Sequence, residues 1–153
     1  MYLLDTCVIS ETRQKKPNRK VIEWLSRQDA NTLFVSAVTI GEIKNGICAL
    51  GPTKKAKELA NWLAELESEY SSRILSVNVT VAECWGEMLA SAARIGKPRP
   101  AIDALIAATA KVDNLVLVTR NVDDMKYMGV KICDPLIARG RGGKWEKAGL
   151  RWE

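Results

Sequence analysis

The chain has 153 residues, 47% of them apolar and 27% charged, with a formal net charge of +5 and no histidine. That length suits one ordinary domain with a core of its own, and those shares are globular rather than disordered. The absence of histidine excludes Ser–His and Cys–His catalysis and leaves no histidine to complete a zinc site.

In chain order, Tyr2-Leu3-Leu4 reads as a short buried strand, ended by Asp5. Residues 7–13 form a short helix or turn leading into Arg13-Gln14-Lys15-Lys16-Pro17-Asn18-Arg19-Lys20, a loop with five basic residues and no acid. From Asn18 to Gln28, Val21, Ile22, Trp24 and Leu25 make a helical stripe. Leu33-Phe34-Val35 is a second strand. Ser36 then caps a helix whose Val38, Ile40, Ile43 and Ile47 keep helical spacing, interrupted by Glu42. Gly51-Pro52-Thr53 breaks the chain and opens another helix, with Ala56, Leu59, Leu63, Leu66 and Tyr70 along one face.

Ile74-Leu75-Ser76-Val77 reads as a third strand, and residues 80–95 as a helix closed by Gly96. Lys97-Pro98-Arg99-Pro100 is a stiff connector, because each proline biases its predecessor away from helix. The next helix carries Asp103 as the only charge between Ala101 and Ala110 and ends near Asp113-Asn114. Val116-Leu117-Val118 is a fourth strand, followed by Asn121 and Asp124. Val130-Lys131-Ile132 is a weaker fifth. Residues 1–136 therefore read as one domain. Residues 137–153 read as a basic tail, with Arg139, Arg141, Lys144, Lys147 and Arg151 against Glu146 and Glu153.

Short strands alternating with longer helices imply an α/β fold: a doubly wound, mainly parallel five-stranded sheet flanked by helices. No apolar run approaches the roughly 20 residues of a membrane span. A strand-like start with no signal peptide ahead of it leads to the expectation of a cytoplasmic protein. The widely scattered Cys7, Cys48, Cys84 and Cys133 form no CxxC pair and are expected to be small buried hydrophobes.

The acids carry the functional signal. Asp5, Glu42, Asp103 and Asp124 each interrupt or end an apolar segment, where an uncompensated carboxylate is costly. Each has an ordinary alternative. Asp5 suits a strand-end turn, Asp103 a helix N-terminus, Glu42 an exposed helix face, and Asp124 a capping turn. Together, however, they fall at the carboxyl ends of strands or in the helices that follow, where sites form in open α/β sheets. One divalent cation site accounts for all of them. Magnesium and manganese take oxygen ligands, and such a site hydrolyses phosphate esters through an activated water. The Thr6 hydroxyl, beside Asp5, is placed to bond a ligand carboxylate, a metal-bound water or a phosphate.

Four segments resemble one family. Tyr2-Leu3-Leu4-Asp5-Thr6-Cys7-Val8-Ile9-Ser10-Glu11 resembles an LLDTxVLSE opening. Val35-Ser36-Ala37-Val38-Thr39-Ile40-Gly41-Glu42-Ile43 resembles S-x-x-T-x-x-E-[IL]. Ile102 to Ala110 resembles D-[AG]-x-I-A-A-T-A after its first residue, and Val118-Thr119-Arg120-Asn121-Val122-Asp123-Asp124-Met125 resembles L-V-T-R-N-x-x-D-F. These are the motifs of PIN-domain ribonuclease toxins of the VapC family, in its FitB-like branch, over about residues 1–136.

The resemblance implies a toxin of a type II toxin–antitoxin system, an endoribonuclease using Mg2+ or Mn2+ on RNA such as tRNA. It makes Asp5, Glu42 and Asp103 the metal-binding triad. The fourth place falls to Asn121, where many such domains have aspartate, or to Asp124. It also implies a homodimer and a VapB-like antitoxin whose C-terminal segment fills the toxin's cleft. Arg13, Lys15, Lys16, Arg19 and Lys20 suit an RNA backbone, and the helix bearing Trp62 suits an apolar partner surface. The competing expectation is a non-catalytic PIN-like binding module with a degenerate metal site, which Asn121 favours.

Overall fold

In a computed structural model, residues 1–137 are described, together with the backbone of residues 150–152. Five short strands, β1 (Tyr2–Leu4), β2 (Leu33–Ser36), β3 (Ile74–Leu75), β4 (Val116–Val118) and β5 (Lys131–Cys133), pair in parallel in the order β3-β2-β1-β4-β5. The chain moves outward from β1 through β2 to β3, then returns to the other side of β1 for β4 and β5. The order therefore reverses beside β1, and the crevice at such a reversal is where open α/β sheets hold ligands.

Strand alternation divides the core between the two sheet faces. Leu4, Val35, Val118 and Cys133 pack with α2 (Arg19–Ser26), α3 (Ala37–Ala49) and α4 (Lys54–Glu69) through Val21, Trp24, Ile43, Ile47, Leu63 and Leu66. Leu3, Leu117 and Ile132 pack with α5 (Val79–Arg94) and α6 (Ala101–Val112) through Val81, Met88, Ile106 and Ala110. Two four-residue helices, α1 (Thr6–Ile9) and α7 (Val122–Met125), leave the carboxyl ends of β1 and towards β5 from β4.

The caps follow the local sequence. Ser36, Thr53 and Asn78 accept from Val38, Ala56 and Val81 backbone N–H groups, giving α3, α4 and α5 defined starts. Gly96 (φ 67°) and Asn114 (φ 52°) take the left-handed conformation just beyond α5 and α6, which ends both helices. Arg73 clamps the turn from α4 into β3 against the start of β2 by donating to the carbonyls of Glu69 at 2.9 Å and Leu33 at 2.8 Å.

Several details differ from the sequence reading. Strand β3 ends at Leu75, and β5 is shifted one residue to Lys131–Cys133. Arg19 and Lys20 belong to the first turn of α2, capped by Asn18, so the basic segment is part loop and part helix. Only Cys133 is buried; Cys7 and Cys84 are partly exposed and Cys48 is exposed on α3. In the C-terminal segment, β6 (Leu150–Trp152) pairs antiparallel with β5, adding a strand that no alternation in its sequence announced. The tail residues Arg139, Arg141, Lys144 and Lys147 lie outside the described residues.

Candidate active site

The site is built on β1. The Asp5 backbone N–H donates to the Val118 carbonyl at 3.0 Å, prolonging the central β1–β4 pairing to the acid itself. Asp5 is also the N-cap of α1, and its side chain is buried, 4% exposed. A buried carboxylate requires donors, and Asp5 has three. Oδ1 accepts from the Thr6 N–H at 2.7 Å; Oδ2 accepts from the Thr119 hydroxyl at 2.6 Å and the Cys7 thiol at 3.1 Å. Thr119 Oγ1 in turn accepts from the Asn121 N–H at 2.9 Å. The acid after β1 and the loop after β4 thus form one hydrogen-bonded unit.

Glu42 stands in the second turn of α3 and points back across the cleft. The Thr6 hydroxyl donates to Glu42 Oε2 and lies 3.3 Å from Thr39 Oγ1. Asp103 is in the first turn of α6 and partly exposed. Its carboxyl is pushed up from 3.8 to about 6, first by burial and then by the charges of Asp5, Asp124 and Glu42. Asp103 is therefore within reach of three acids drawn from three other segments of the chain.

Asp124 is exposed in the first turn of α7, and Asn121, also exposed, caps that helix with no hydrogen bond from its side chain. Thr6, Glu42 and Arg13 share a cleft of about 360 Å³ with Ile43, Ile47, Leu59, Trp62 and Lys55 between α1, α3 and α4. Of the other basic residues, Lys15 and Lys16 are exposed in the following loop, Arg19 pairs with Glu23 at 3.1 Å, and Lys20 is exposed on α2.

Two contacts went unnoticed in the sequence. Glu11 is buried, and accepts from Arg120 Nη1 at 2.6 Å and from the Asn18 N–H at 2.7 Å. It ties the start of the basic segment to the loop between β4 and α7. Thr119, completely buried, is the other. Both lie inside motifs already singled out. Thr119 carried a signal, a polar residue ending the apolar run Val116-Leu117-Val118, whereas Glu11 stands among Ser10, Thr12 and Arg13 and carried none.

The donor chemistry suits a hard divalent cation. It consists of carboxylate and hydroxyl oxygens, and Asp103, raised by burial and then by Asp5, Asp124 and Glu42, shows several acids within reach of one another. Among the described residues, however, no three acids or cysteines already stand in position to hold an ion. Glu42 would first have to turn from Thr6.

Residues 2–130 match the PIN domain. The chain belongs to the PIN-domain family. Among relatives of this PIN domain are Toxin FitB of Neisseria gonorrhoeae, 33% identical over 136 residues, and VapC ribonuclease Y4jK of Sinorhizobium fredii, 31% identical over 136 residues. In each alignment 88% of this chain is covered, with 98% of FitB and 97% of Y4jK. A solved FitAB complex bound to an IR36 DNA fragment contains a chain that superposes with a TM-score of 0.85 at 30% identity, covering 92% of this chain and 99% of that one. The α/β fold expected from the sequence is the fold of this PIN domain.

Proposed function

We propose that this PIN domain is a metal-dependent endoribonuclease and the toxin of a type II toxin–antitoxin pair. The observation that carries this is the convergence of acids at the crevice beside β1: buried Asp5 held by three donors, Glu42 tied to the neighbouring Thr6, and Asp103 within reach of the charges of both. Its relatives VapC ribonuclease Y4jK and Toxin FitB support the substrate class and the biological role.

Asp5, Glu42 and Asp103 would hold Mg2+ or Mn2+, with Asn121 or Asp124 at the fourth corner. Such an ion would supply an activated water at neutral pH and offset charge on the phosphodiester. The protein does the remaining work. Thr119, Cys7 and the Thr6 N–H fix both Asp5 oxygens. Thr6 and Thr39 orient Glu42. Arg13, Lys15, Lys16, Arg19 and Lys20 face the RNA backbone, and the Glu11–Arg120 pair keeps their segment beside the site.

The cleft lined by Arg13, Ile47, Leu59 and Trp62 receives the C-terminal arm of a VapB-like antitoxin, with Arg13 and Lys55 meeting its polar groups. A homodimer contact would cover the exposed Val79 on α5 and Ile102 on α6. No described helix is long and apolar enough to cross a membrane, and a reducing cytoplasm suits four free cysteines.

Sequencing RNA ends after brief expression tests the activity. New 5′ ends with the wild-type protein and none with Asp5→Asn or with Asp103→Asn, the variant that spares the central strand, are expected; the same ends with Asp103→Asn would refute it. A second reading, a non-catalytic binding module, is favoured by Asn121 in place of a fourth acid. A structure after soaking in Mn2+ separates them: no ion between Asp5 and Asp103 would support the module.

A further inference from the structure

The cleft beside Glu42 carries an acid in one place and cations away from it. Thr6 and Glu42 meet where α1 faces α3. From Thr6 the chain runs helically through α1 and the 3-10 turn Ser10–Arg13, so Arg13 stands roughly 12 Å further on. On the opposite wall Leu50, just past the end of α3, also lies roughly 12 Å along the helix from Glu42. The short connection Gly51–Thr53 then folds α4 back against α3, which sets Lys55 near Leu50 rather than near Glu42. Both Arg13 and Lys55 line the cleft.

Among the described residues neither cation forms an ion pair. The first turn of α4, which bears Lys54, Lys55 and Lys57, holds no acid to offset Lys55. Lys55, Leu59 and Trp62 follow i, i+4, i+7 spacing along one face of α4, so the cation is continuous with an apolar wall. Ile43 and Ile47 of α3 extend that wall. A nucleic-acid strand carries a phosphate at every step and has nothing to pair with over such a stretch. A peptide that sets a carboxylate beside a large apolar side chain matches it.

We propose that Lys55 selects the antitoxin by charge: the arm that enters the cleft presents an Asp or Glu side chain to Lys55 and a large apolar side chain to Leu59 and Trp62. This deepens the toxin–antitoxin proposal and rests on it. Arg13, Lys55, Leu59 and Trp62 all fall outside the four motif segments that the chain shares with its family, so the motifs do not dictate the preference. An arm with an amide or a lysine at that place leaves Lys55 without its counter-charge or against a like one, and is rejected on that account. Arg13 adds positive charge to the same cleft and also belongs to the basic segment proposed for RNA. An arm filling the cleft covers Arg13, and so displaces RNA from a phosphate contact before it reaches Asp5.

Selection of phage-displayed random 12-residue peptides on the full chain tests this. Peptides enriched on wild type should carry an Asp or Glu close to a Leu, Ile, Phe or Trp. On the Lys55→Glu chain, altered at an exposed position, the enriched charge should change to Lys or Arg. The strongest wild-type peptide, labelled and followed by fluorescence anisotropy, should bind about tenfold more weakly once its acid is replaced by the amide, and about as much more weakly to Lys55→Glu. The same peptide with Lys in place of its acid should regain affinity for Lys55→Glu, an exchange of preference that a folding defect does not produce. Enriched peptides without an acid, or none enriched over uncoated wells, would overturn the proposal. So would a Lys55→Glu chain that loses a labelled single-stranded RNA yet binds the peptide as wild type does, since the cation would then serve RNA. Either failure with RNA cleavage intact leaves the ribonuclease standing. The expected peptides without RNA cleavage by wild type would instead remove the toxin reading, and with it the antitoxin as occupant.

Discussion

Replacing Asp103 by Asn should make the metal-free protein more stable, although it removes a proposed metal ligand. The Asp103 carboxyl sits at about 6 rather than 3.8, raised by burial and by Asp5, Asp124 and Glu42. An acid whose folded-state value is raised is tolerated while protonated and penalised once it ionises. Stability is therefore intact below pH 4 and is lost as pH rises through about 6. The full penalty at neutral pH has a ceiling of about 3 kcal/mol. Asp103 is partly exposed, and solvent screening lowers this to ~1 kcal/mol. For a chain of this size that is a Tm difference of about 2–4 °C. Thermal unfolding in EDTA should show Asp103→Asn above wild type by that margin at pH 7.5, with the gap closing towards pH 4. Added Mn2+ should reverse the order, because a ligand that binds only the folded state raises the wild type alone. A gap of the same size at pH 4 and 7.5, or none at either, would refute the account of a crowded acidic crevice.

Thr119→Val should lower stability by about 1–3 kcal/mol in urea melts, because it strips a donor from buried Asp5 Oδ2 and an acceptor from the Asn121 N–H; Thr119→Ser should recover most of the loss. Arg120→Ala should destabilise more than Glu11→Ala, since it leaves buried Glu11 short of its cation, whereas an orphaned Arg120 is 34% exposed and can hydrate. Equal losses in denaturant titrations would count against that asymmetry. Trp62→Ala should weaken antitoxin affinity tenfold or more by calorimetry while leaving RNA cleavage by the free protein unchanged, because the cleft it lines is the proposed seat of the antitoxin arm.

What the sequence disclosed and what it concealed divide by range. The starts of α3 and α4 were legible because Ser36 and Thr53 cap backbone groups two and three residues away. Asp5, Glu42 and Asp103 were legible because a charge in an apolar pattern is visible within one segment. The Glu11–Arg120 bridge spans 109 positions and the Thr119–Asp5 bond 114, and no local pattern carries such pairings. Residues 150–152 look like part of a basic tail because an edge strand pairs through its backbone, which places little demand on side chains. Cys48 resembled a core residue because small sulfur side chains usually are buried; α3 happens to present it outward.

Asp5 and the fourth corner stand on supports of very different strength. Asp5 extends the pairing of the central strand, so its amide exchanges with solvent only when the sheet itself opens. Asn121 and Asp124 ride on a four-residue helix at the surface, which opens at far lower free energy. Substitution at Asp5 threatens folding and chemistry together, whereas the α7 corner is free to drift.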